Sequence, residues 1–102
     1  MSLQPPRAYA RQLEQANVDT ALNVEILEEK AAALGRAGTR VEETLAALRQ
    51  STGEDRENAR RAAAEAVYAY LIQRELCGLR DQHAVFRSYD VPGDVIAILG
   101  AK

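Results

Sequence analysis

"EKAAALGRAGTR", residues 29–40, places two glycines three residues apart inside a stretch that otherwise reads as strong helix. If the chain turns at Gly38, with Thr39 capping a second helix, the fold is a short helical hairpin. If the helix runs through, the chain carries a rod. Thr20, Val24, Leu27, Ala31, Leu34, Gly38, Val41, Leu45 and Leu48 are separated by 4, 3, 4, 3, 4, 3, 4 and 3 residues. A turn would reset that heptad phase, and no reset occurs. One continuous helix over about residues 19–50 is therefore expected. Each interior glycine costs about 1 kcal/mol against alanine, so the glycines require a compensating contact. Ala31, Gly35 and Gly38 lie along one side, where another helix could come close. The expected packing face comprises Val24, Leu27, Ala31, Leu34, Gly35, Gly38, Val41, Leu45 and Leu48.

On the N-terminal side, Pro5-Pro6 favours extended or turn backbone. Tyr9 and Leu13 make a thin apolar face, so residues 1–18 read as a mostly irregular arm, with Asn17 or Asp19 capping the long helix. On the C-terminal side, Ser51 and Glu54 have capping-box spacing, and Glu54, Asp55 and Glu57 place negative charge at the start of a second helix, about 54–77. Its alanine-rich first half and apolar "AVYAYLI" predict burial, and Gly78 supplies a left-handed stop. Asp81 can cap a short helix of about 82–89. Pro92 and Gly100 bracket another of about 92–99. No strand is indicated. The expectation is an all-α chain: an arm over 1–18, then one helical domain over 19–102. In it the long helix pairs antiparallel with the second, the two short helices come next, and a homodimer completes the bundle. A helix of ~31 residues is about 46 Å long, against a radius of gyration of about 13 Å for a compact 100-residue domain. A second copy would cover the surface that the chain's own helices leave bare.

The chain has 102 residues and a net charge of −2, with eleven Arg and two Lys mixed among the acids. That balance carries no expectation of nucleic acid or an anionic membrane surface as partner. No stretch approaches the ~20 apolar residues of a membrane span. "MSLQPPRAYARQ" has no apolar run, so a secretory signal is not expected. With Cys77 the single cysteine, a reduced, cytoplasmic setting is the simplest reading.

Catalytic groupings are sparse. Cys77 and His83, the one cysteine and the one histidine, lack any nucleophile motif, and a packed thiol with a surface histidine accounts for them. Glu25, Glu28 and Glu29 come without the Glu-x-x-His motif of a di-metal bundle. No enzyme activity, cofactor or metal is expected. "QRELCGLRD" brackets a helix end with Arg74, Glu75, Arg80 and Asp81. It reads first as a structural ion-pair network. The sharper alternative is an anionic-ligand site between helices, with Tyr68 or Tyr70 nearby. "AVFRSYDVPGDVIAILG" has a helix-turn-helix outline, but residues 92–99 hold no Arg, Lys, Asn or Gln to read bases. DNA regulation is thus the weakest alternative. The leading expectation is a non-enzymatic protein acting by self-association and protein binding.

"EILEEKAAALGRAGTRVEETLAAL", "QRELCGLRD" and "YDVPGDVIAILG" together resemble a family of small bacterial helical proteins catalogued as a domain of unknown function, over roughly residues 19–100. The resemblance implies an all-helical fold and no activity, cofactor or catalytic residue.

Overall fold

The computed structural model describes residues 7–101, and among them side chains 11, 14, 15 and 17–101. The chain runs as α1 (Arg7–Gln50), α2 (Glu54–Leu76), α3 (Gln82–Ser88) and α4 (Gly93–Ile96). No strand occurs among the described residues.

Helix α1 answers the glycine question. Its 44 residues continue without a break through Gly35 and Gly38. Thr39 does not cap a new helix; its hydroxyl donates to the Gly35 carbonyl one turn back, at 3.1 Å, as an interior helical threonine does. The irregular arm expected over residues 1–18 is corrected from Arg7 onward, and residues 1–6 lie outside the described residues. The reason is propensity. "RAYARQLEQA" is built almost wholly of Ala, Arg, Gln, Leu and Glu, all strong helix formers. Such a segment needs no apolar face to be helical. Asp19 is correspondingly no cap: it sits inside the helix and accepts from Gln15 Nε2 at 2.9 Å. At 1.5 Å per residue α1 is about 66 Å long, and the molecule measures 83 × 24 × 20 Å with a radius of gyration of 21.8 Å.

The three-residue connection 51–53 turns α2 back antiparallel along the C-terminal half of α1. Here the capping-box reading is corrected. Gly53, at φ 62°, occupies the N-cap without a side-chain bond. Ser51 instead donates to the Ala47 carbonyl at 2.7 Å, satisfying the end of α1. The other end of α2 closes as expected. Gly78 is left-handed (φ 82°), and the amides of Leu79 and Gly78 reach the carbonyls of Arg74 and Glu75, a Schellman pair. Asp81 accepts from the Ala84 amide at 3.2 Å and caps α3. Helix α3 ends in the same double bond, Val91 to Phe86 and Asp90 to Arg87, with Asp90 at φ 52° in the left-handed position. Pro92 is the N-cap of α4 rather than its first residue, and the helix yields after Ile96 to tighter turns through Leu99.

One core results. Val41, Leu45 and Leu48 of α1 meet Ala63, Ala64, Ala66, Val67, Tyr70 and Leu71 of α2, and Val85, Val91 and Val95 close the end. Alanines let the α2 backbone approach α1 closely, while valines and leucines fill the space between. Among the described residues, the first fully buried one in α1 is Gly38, so about two thirds of the helix precedes it.

Candidate interaction surface

The heptad face is a single stripe in sequence and two surfaces in space. Gly38, Val41, Leu45 and Leu48 are buried under α2; Leu34 is half-buried; Val24, Leu27, Ala31 and Gly35 are exposed. Within the chain, Gly38 is the one of these three small residues that lies at a close crossing. A Cβ on Gly38 would lie 3.0 Å from Tyr89 Oη and 3.4 Å from Tyr70 Cε1. On Gly35 it would meet nothing within 4 Å. Ala31 likewise faces solvent.

The exposed half of α1 is more apolar than that stripe alone. Val18, Leu22, Val24, Ile26 and Leu27 all stand about half exposed or more, Leu27 at 64%. Leu27 lies beside Leu76 from the end of α2, while at 100° per residue Val18, Leu22 and Ile26 share a second face of α1. Scattered surface hydrophobics need no explanation, but a clustered run does. A shallow groove of about 300 Å³ opens where Leu27, Lys30, Ala31 and Leu34 meet Leu76 and Cys77. Cys77 is half-buried at its floor, its thiol 4.0 Å from the Lys30 carbonyl. His83 is elsewhere, exposed and edge-on to Phe86. The two residues contact different elements.

The "QRELCGLRD" cluster does not assemble. Arg74 lies over the Tyr70 ring, 5.8 Å from its centroid. Asp81 caps α3, while Arg80 and Glu75 are exposed. None of the ion pairs among the described residues joins any of these four. The ionic network forms at the opposite end of α2. Arg56 reaches Asp94 at 3.0 Å, and Arg60 and Arg61 both hold Glu57, at 2.9 and 3.3 Å. The Arg60 bond, offset by desolvation, lowers the pKa of Glu57; the Arg56 bond does the same for Asp94. The Glu57 pairs are visible in sequence as i,i+3 and i,i+4 spacings. The Arg56–Asp94 pair, 38 residues apart, has no local signal.

This network also bears on the helix-turn-helix outline. Helix α4 is a single turn of four residues with Val95 buried, pinned to α2 through Asp94. It does not project as a reading helix. Among the described residues, no helix is long and apolar enough to cross a membrane, and no three His, Cys, Asp or Glu side chains converge for a metal.

Where α1, α2 and the end of α3 meet, Tyr70 and Tyr89 stack edge-to-face at 5.5 Å. Hydrogen bonding with Tyr70, then burial and the negative charge of Glu42, push the Tyr89 phenol from its ordinary 10 up to about 12, with Arg74 partly opposing. Its folded-state pKa is raised, so the proton is held more tightly in the native state. The associated stability is complete below pH 10 and is lost as pH rises from 10 to about 12. Tyr89→Phe is expected to flatten that alkaline loss in urea titrations repeated across the window. An unchanged slope would remove Tyr89 from the crossing.

A family described as "Family of unknown function (DUF6665)" matches residues 1–102. No curated protein and no solved structure matches the chain.

Proposed function

The chain belongs to the DUF6665 family, whose description assigns no activity, and from its own surfaces we propose that it is a non-enzymatic protein acting through protein–protein contact on the projecting half of α1. One observation carries this reading: Val18, Leu22, Val24, Ile26 and Leu27 are all exposed on a preformed helix that its own core does not reach. A helix presenting a run of apolar anchors is a recurring way of docking against another helix. Its order is already established, so docking carries little of the cost of ordering a loop. The anionic-ligand alternative loses support from the geometry of Arg74 and Arg80, which are divided between an aromatic face and solvent. The DNA alternative loses it from the brevity of α4. The absence of membrane-spanning helices among the described residues is compatible with a cytoplasmic protein, which is the setting we propose alongside this role.

A photocrosslinking side chain at position 22, where Leu22 is exposed, introduced in the native cell, is expected to capture protein adducts. The same group at Gln82, exposed on α3, serves as the control. Adducts at position 22 no more abundant than at position 82 would overturn the reading.

A further inference from the structure

We propose that the occupant of this surface is a second copy of the chain, its α1 lying antiparallel to the first with the two-fold axis close to Glu29 and Lys30. The inference rests on the proposed contact through α1 and adds the partner and its orientation.

Charge is the first argument. Residues 12–29 carry Glu14, Asp19, Glu25, Glu28 and Glu29 and no base; residues 30–40 carry Lys30, Arg36 and Arg40 and no acid. All the side chains named are exposed except Lys30, which is half-buried. Two such helices side by side in parallel would align acid with acid along their length. Antiparallel, each acidic block faces a basic one. Pairing about the Glu29–Lys30 junction sets Asp19 opposite Arg40 and Glu29 opposite Lys30, twice each by symmetry.

Side-chain volume gives the same orientation independently. The bulky exposed residues, Val18 to Leu27, all precede the junction. Small ones, Ala31, Ala32, Ala33, Gly35, Ala37 and Gly38, dominate the segment after it. In the antiparallel arrangement Ile26 falls opposite Ala33 and Leu22 opposite Ala37, large against small, as interdigitating helices require. At 100° per residue these four positions lie within roughly 60° of one another on α1, beside the face that α2 covers, with Glu29 and Lys30 flanking them. A parallel pair would oppose leucine to leucine and leave alanine facing alanine across a void. The overlap from residue 19 to 40 is three heptads, about 33 Å, the length at which an apolar seam becomes a specific coiled-coil-like contact.

The test uses the full chain. Sedimentation equilibrium is expected to give twice the 11.2 kDa chain mass. Lys30→Glu should weaken association about tenfold, since both symmetric pairs become repulsive, and adding Glu29→Lys to it should restore the affinity. Orientation is read with single cysteines in a Cys77→Ser background, joined by a short bis-maleimide. Glu29→Cys should couple to itself. Asp19→Cys should fail to couple to itself and should couple to Arg40→Cys when the two are mixed. Asp19, Glu29 and Arg40 are exposed, so the cysteine variants at these positions should keep the parent helical fold. Self-coupling at position 19 would overturn the antiparallel arrangement. A monomeric mass without coupling at 29 would overturn the second copy itself. Position 22 adducts with a different protein would then preserve the interaction reading while this inference fell.

Discussion

Glutamate in place of Val41 is expected to abolish the cooperative thermal transition of the chain at neutral pH. Val41 is 0% exposed and packs in the core that α2 closes over α1. An ionised carboxylate there has no cationic partner among the buried residues, and its desolvation costs several kcal/mol. Taking up a proton instead would replace that cost with an unsatisfied polar group in an apolar site, itself unfavourable. Residues 38–101, which hold the core, number about sixty. At about 0.05–0.15 kcal/mol per residue they have roughly 3–10 kcal/mol of stability to lose. Leu27→Glu is the internal control. It lies two heptads earlier on the same stripe but is 64% exposed. In dilute chain it should shift stability by no more than about 0.5 kcal/mol. A Val41→Glu variant that melts cooperatively at the parent temperature by circular dichroism would remove Val41 from the core.

The two glycines of the 29–40 stretch are expected to respond in opposite directions. Gly38→Leu drives a branched side chain into Tyr70 and Tyr89, where even a methyl carbon would stand 3.0 Å from the Tyr89 hydroxyl. Both rings are packed between helices, so the overpacking should lower stability by about 1–3 kcal/mol. Gly35→Ala meets open space and removes glycine's backbone entropy from a helix interior, so it should raise stability by up to about 1 kcal/mol. Urea unfolding of both variants reads the contrast. A Gly38→Leu chain as stable as Gly35→Ala would mean that the tyrosines do not close over Gly38.

These outcomes trace how far the residues announce the fold. Unbroken 4-3 spacing through Gly38 is a statement about phase, and phase survives whatever covers the helix; the continuous α1 was therefore legible. The stops at Gly78 and the cap at Asp81 were legible because each is satisfied by backbone within a few residues. The start of α1 was not, because an alanine-, arginine- and glutamine-rich segment can be helical without an apolar face to signal it. Nor could periodicity tell which half of the stripe α2 would cover. That depends on the length of α2, 23 residues against the 44 of α1, and on the turn that sets it against the C-terminal half. The Arg74–Arg80 cluster misled for a related reason. Proximity in sequence across a helix end does not set side-chain direction, and Gly78 reverses the chain between the two arginines. Arg56–Asp94 is the converse case, a pair that exists only once α4 has docked.

The mismatch in length between α1 and α2 also divides a single helix by its free energy of opening. Amides around Val41, Leu45 and Leu48 lie under buried side chains and should exchange their hydrogens only when the whole domain unfolds. Those around residues 17–26 stand on exposed helix, and a helix held by backbone bonds alone is marginal below about 12–15 residues. Unzipping therefore begins at the far end and halts where Gly38 passes beneath Tyr70 and Tyr89. Covering residues 18–33 would move that halting point toward the N-terminus. Secondary structure would not change; more of its hydrogen bonds would break only together.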